Sequence, residues 1–157
     1  MKKIAIGLVA AILGLALVAC FISPFVAAQR LIRAARMGDV AGLEQTVDFP
    51  AFRASLKMLA PSLVEGAVDG LVTPEGVAAM VRSGDKPRPE KPVPAADTPA
   101  APKERIHQSW AYRGVNRFAV TLTRDDRPDD PLVLIMERRG PLSWKLAGVD
   151  LTPDPMG

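Results

Sequence analysis

Few side chains in this 157-residue sequence can do covalent chemistry, and their spacing narrows the choice. There is one histidine, His107, and one cysteine, Cys20. A serine–histidine–aspartate triad would have to use His107 with Ser23, Ser55, Ser62, Ser83, Ser109 or Ser143, none of which lies in a nucleophile-elbow context. His107 is out of step with Ile106, Trp110 and Tyr112 in a period-two pattern, so it is expected to face solvent. Cys20 lies inside an apolar run, which removes thiol catalysis, and a single cysteine cannot pair within the chain. Zinc, haem and copper sites need several His or Cys ligands, so no metal and no cofactor is expected.

Carboxylates remain. Asp125-Asp126 and Asp129-Asp130 flank Arg127-Pro128, but the pattern lacks the spacing and distant Glu of a calcium loop. Arg124 and Arg127 also neutralise it. Asp39, Asp48, Glu65 and Asp69 fall near helix starts or on polar helix faces, where capping and pairing account for them. Gly66, Gly70 and Gly76 are single residues in helical patterns, not a phosphate loop. Trp110, Tyr112, Phe118 and Trp144 are candidate pocket-lining residues; they are also the natural core between a sheet and its helices.

The elements that hold these residues begin with Lys2-Lys3 and a run of nineteen residues, Ile4 to Ile22, without a charge. As a helix the run covers about 28 Å, close to a bilayer's hydrocarbon thickness. Three readings fit it. A signal-anchor would hold Lys2 and Lys3 in the cytoplasm and the body in the periplasm or outside the cell. A lipoprotein would use Leu17-Val18-Ala19-Cys20 as a lipobox, with Cys20 as the lipid-attachment residue. A secreted soluble protein would be cut after Val26-Ala27-Ala28. The anchor, an inner-membrane one with residues 4–22 as its membrane contact, is the reading carried forward. Without Lys2 and Lys3 the chain holds 18 basic against 17 acidic side chains, so no nucleic-acid partner is expected.

Residues 1–22 form this segment, and 23–83 read as the helical part of the domain. Ser23-Pro24 looks like a helix start, with that helix running to about Met37 and stopping at Gly38. Phe25, Ala28, Leu31, Ile32 and Ala35 form its apolar stripe; Gln29, Arg30, Arg33 and Arg36 form the opposite face. Asp39 can cap a second helix, and Phe52, Leu56 and Leu59 mark a third that ends or kinks at Pro61. Ser62 can recap it, and Thr73-Pro74-Glu75 opens a last one to about Arg82. Residues 84–104, with six prolines, read as an extended linker. Residues 105–152 alternate in an antiparallel meander of about four strands, before a tail at 153–157. The third strand, Leu132 to Met136, is apolar on both faces and is expected to be covered on both by the helices. The fold class is α+β, with short helices packed on the sheet as one unit.

Several runs resemble the bacterial family known as domain of unknown function 2939. They are Ser23-Pro24-Phe25, Arg36-x-Gly38-Asp39, Val47-Asp48-Phe49-Pro50-Ala51-Phe52-Arg53-x-Ser55-Leu56-Lys57 and Val72-Thr73-Pro74-Glu75-Gly76. Phe118-x-Val120, Arg139-Gly140 and Trp144-Lys145-Leu146 extend the resemblance over nearly all of residues 23–152. It implies an N-terminal apolar segment and carries over no activity and no functional residues. The long proline-rich stretch and Cys20 depart from the pattern. A weaker similarity, of architecture only, is to nuclear-transport-factor-2-like or cystatin-like envelope domains, whose cone-shaped fold can bind a small ligand at its mouth.

Two functions are compatible with these features. One is a non-catalytic, membrane-anchored envelope domain with a structural role or a role in binding an envelope protein partner or ligand. The other is a small-molecule enzyme using carboxylates and a hydroxyl in a cone-like pocket. The inner surface of the sheet separates them: a sealed core of Trp110, Phe118, Leu134 and Trp144 argues against a pocket.

Overall fold

The computed structural model describes residues 2–59, 61, 65–86 and 105–150. The proline-rich linker beyond Lys86, the Ser62 cap and the 153–157 tail lie outside the described residues. The element order is α1 (Lys2–Met37), α2 (Val40–Thr46), α3 (Phe49–Leu59), α4 (Glu65–Leu71) and α5 (Pro74–Ser83), then β1 (Ile106–Gly114), β2 (Arg117–Arg124), β3 (Arg127–Arg138) and β4 (Trp144–Asp150). The class is α+β.

The largest difference from the sequence reading is at Pro24. No helix begins there; α1 runs without a break from Lys2 to Met37 with Pro24 inside it. Proline removes one backbone donor, leaving the carbonyl four residues earlier, that of Cys20, without its helical partner. The Ser23 hydroxyl donates to that same carbonyl at 2.8 Å. The residue read as a cap therefore repairs the helix from within, a device familiar where prolines occur in apolar helices. Beyond Pro24, Ala28, Leu31, Ile32, Ala34 and Ala35 are buried while Arg30, Arg33 and Arg36 are exposed. One helix is thus an apolar, largely uncovered rod from Ile6 to Ile22 and the spine of a core at its end.

The other helices start and stop where local chemistry dictates. Gly38 takes φ +67, and the amide of Asp39 donates to Ala34 O at 2.9 Å, closing α1. Asp39 then caps α2, accepting from the Gly42 amide at 3.0 Å. Asp48 accepts from the Ala51 amide at 3.2 Å and opens α3, whose Phe52 and Leu56 are fully buried. Leu59, assigned to the same apolar face by its spacing, is 40% exposed. Thr73 caps α5 with Pro74 behind it, and Gly84 ends it in the left-handed region at φ 65.

The sheet is a simple antiparallel meander in the order β1-β2-β3-β4. Register pairs Trp110 with Val120 and Tyr112 with Phe118, then Phe118 with Met136 and Leu134 with Val149. Phe118, Val120, Leu122, Leu132, Leu134, Met136 and Leu146 are buried and join α1, α3 and α5 in one core. On the other face of β3, Val133 is buried and Ile135 half-buried. The free edge of β4 is partly covered: Val47 forms a parallel bridge to Leu146, and the Asp48 amide donates to Leu146 O at 2.8 Å. Gly148 lets α3 approach, since a side chain there would collide with that of Ser55.

Candidate functional site where the long helix meets the sheet

Antiparallel alternation puts the β1–β2 turn and the β3–β4 turn at one end of the sheet, with the β2–β3 turn at the other. The first end meets α1 at the close of its apolar run. There Tyr112 donates its hydroxyl to Phe21 O at 2.6 Å, and the Cys20 thiol lies 3.5 Å from Pro141 O. Trp144 donates its indole N–H to the Ser23 hydroxyl at 2.8 Å in a buried contact. A hydrogen-bonded chain therefore runs from β4 through Ser23 to the carbonyl that Pro24 leaves open.

The four aromatic residues singled out by the sequence come together here. Phe25 stands edge-on to Phe118 with centroids 4.7 Å apart, and Tyr112 stands edge-on to Phe118 at 5.1 Å. Trp110 and Trp144 flank the same ring at 6.3 and 6.4 Å. Phe21 extends the cluster onto the apolar run through Tyr112, at 6.3 Å. Such edge-to-face pairs contribute about 0.5–1.5 kcal/mol each beyond their buried area. Phe118 and Trp144 are buried in the core, Trp110 is half-buried and Tyr112 is partly exposed. Spacing within the strands brought out the sheet members; Phe21 and Phe25 entered only through the docking of α1, and the place of Phe25 on the apolar stripe, one helical turn after Phe21, was the available clue.

Charge is arranged around this cluster. The Arg138 guanidinium lies 4.8 Å from the centre of the Trp144 ring. Arg139 bonds Asp48 at 2.8 Å and Glu137 at 3.2 Å, and Arg117 pairs with Glu137 at 3.3 Å. Partial burial raises the Tyr112 phenol above its ordinary range, against the opposing pull of Arg138. An open groove of about 920 Å³ runs beside α1, lined at one end by Leu15, Val18, Ile22 and Leu142 and at the other by Arg30 and Arg33.

The remaining chemistry-bearing residues lie at the opposite end. Arg124 binds Asp126 at 2.8 Å and Asp85 at 3.0 Å, tying the β2–β3 turn to the end of α5. Its side-chain hydrogen bond holds the Asp126 carboxyl below the usual carboxylate range. His107 is exposed and lies 2.8 Å from Asp125. Among the described residues, no group of three or more His, Cys, Asp or Glu side chains is arranged to hold a metal ion.

The comparisons with known proteins bear on the N-terminal helices. A family described as a protein of unknown function, DUF2939, matches residues 13–59. The match supports the resemblance to that family and takes in Cys20, Ser23-Pro24-Phe25, Gly38-Asp39 and the Val47–Lys57 run. It ends before Val72-Thr73-Pro74 and the strands, so the resemblance is supported over a shorter stretch than the sequence motifs suggested. No curated protein and no solved structure matches the chain. Within the described residues, α1 is long and apolar enough to cross a membrane, a property shared by anchors and signal sequences.

Proposed function

We propose that the protein is a membrane-anchored envelope module with a non-catalytic structural or binding role. The carrying observation is the continuity of α1. From Ile6 to Ile22 it is apolar and largely exposed, with Leu15, Leu17, Phe21 and Ile22 each more than half accessible, while beyond Pro24 it is the buried spine of the body. Exposed apolar surface on that scale needs a non-aqueous surrounding. Lys2 and Lys3 stay on the cytoplasmic side and the body stands in the periplasm or outside the cell. The inner face of the sheet, filled except at Trp110, which is half-buried at its margin, supports a non-catalytic role. Phe118, Leu134 and Trp144 fill it, and Ser23 is the one polar residue buried among those described.

Fractionation with intact-mass measurement of the mature protein tests this reading. A full-length chain in the membrane fraction is the expected result. A diacylated chain beginning at Cys20 would replace the helical anchor by a lipid. A soluble chain beginning near Gln29 would contradict anchoring in either form.

A further inference from the structure

We propose that the end of the sheet carrying the β1–β2 and β3–β4 turns rests on the membrane itself, with Val115 and Leu142 inserted among the lipids. The inference rests on the anchored reading of α1 and adds a second contact to it. Both turns present a large apolar side chain outward: Val115 is 80% exposed and Leu142 59% exposed. Neither position is required to be apolar by the core.

Their level relative to α1 decides what they meet. Pro141 touches Cys20, and Tyr112 touches Phe21, both within the uncharged run that ends at Ile22. Leu142 lines the groove beside α1 with Leu15, Val18 and Ile22, and because that groove runs on to Arg30 and Arg33 it is the Cys20 and Phe21 contacts that fix the level of the turn. Leu15 and Ile22 are separated by about 10 Å of helix rise. If residues 4–22 occupy the hydrocarbon, the Pro141-Leu142 turn lies beside their last turns and cannot stand in bulk water. The surrounding side chains suit a headgroup layer. Arg113 and Arg117 flank Val115, and Arg138, Arg139 and Lys145 flank Leu142, against Glu137 and Asp48 as their acidic neighbours. Tyr112 and Trp110, with polar edges and apolar bodies, are the types that concentrate at this depth. The occupant of the patch is therefore the anionic lipid surface into which the anchor is set.

Depth-dependent fluorescence quenching tests it. The full chain carrying Cys20→Ser is labelled with an environment-sensitive dye at one introduced cysteine: Leu13→Cys, Val115→Cys, Leu142→Cys or Asp126→Cys. Each variant is reconstituted in phosphatidylethanolamine–phosphatidylglycerol vesicles bearing nitroxides at shallow or deep acyl positions. Circular dichroism confirms that each folds. Expected are blue-shifted emission and shallow-nitroxide quenching at 115 and 142, several times that at 126, with deep-nitroxide quenching at 13. Quenching at 13 but water-like emission at both 115 and 142 would overturn the proposal, leave the anchor standing, and turn the patch over to a protein partner. Water-like emission at 13 would overturn the anchored reading and this proposal with it.

Discussion

Ser23 does two jobs with one hydroxyl. It donates to the Cys20 carbonyl that Pro24 leaves open, and it accepts the buried indole N–H of Trp144. Ser23→Ala removes both bonds and leaves a buried donor unpaired, which costs about 1–3 kcal/mol. Trp144→Phe removes the donor instead and loses ring packing with it. Because the two residues share one bond, the double variant should cost less than the sum of the single ones. Chemical denaturation of the wild type and the three variants in detergent measures that coupling; strict additivity would mean the bond does not form. At the far end of the sheet, Arg124 holds the Asp126 carboxyl below its usual range. A depressed carboxylate stabilises the fold above its unfolded value, and that stability is lost as pH falls through the folded one. Unfolding midpoints should therefore decline below about pH 4, the ordinary aspartate range. Asp126→Asn should lessen that decline, while wild-type acid sensitivity in the variant would argue against the pairing.

At the scale of elements, glycines give the sharpest predictions. Gly70 lies on the exposed side of α4 with open space where a side chain would go. Gly70→Ala should raise stability by up to about 1 kcal/mol through helix propensity. Gly76 lies at the start of α5 against the backbone of Gly70 and Leu71, where a methyl group has no room. Gly76→Ala should lower stability by about 1–3 kcal/mol, and thermal melts of the two variants should move in opposite directions. The helix caps at Asp39 and Thr73-Pro74, the stop at Gly38 and all four strands were legible in the sequence, because each rests on a local rule. The continuity of α1 was not. Ser23-Pro24 satisfies the local rule for a helix start, and what overrides it is tertiary: Trp144, far along the chain, fixes the serine while the apolar stripe continues on both sides. The candidate site was legible by half, since period-two spacing brought out Trp110, Tyr112, Phe118 and Trp144 but not their docking on Phe21 and Phe25.

For the molecule as a whole, an unbroken α1 means that the body does not swing on a tether. Its orientation relative to α1 is set by the aromatic cluster at Phe21 and Phe25 and by the hydrogen bonds from Tyr112 and Trp144, so in the proposed anchored state the helix axis would fix how the body faces the membrane. On the proposed anchored reading, a module held in this way would present its surfaces at a fixed height above the bilayer, as a structural or docking role requires. Such a body requires α1 to be rigid across Pro24. Nitroxides at Leu13 and Arg36, both exposed, bracket that residue. Pulsed electron–electron resonance on the Cys20→Ser protein in lipid vesicles should give one narrow distribution, near the about 35 Å axial rise of 23 helical residues. A broad distribution reaching well below that value would mean a hinge at Ser23-Pro24, and would contradict a single helix joining membrane to core.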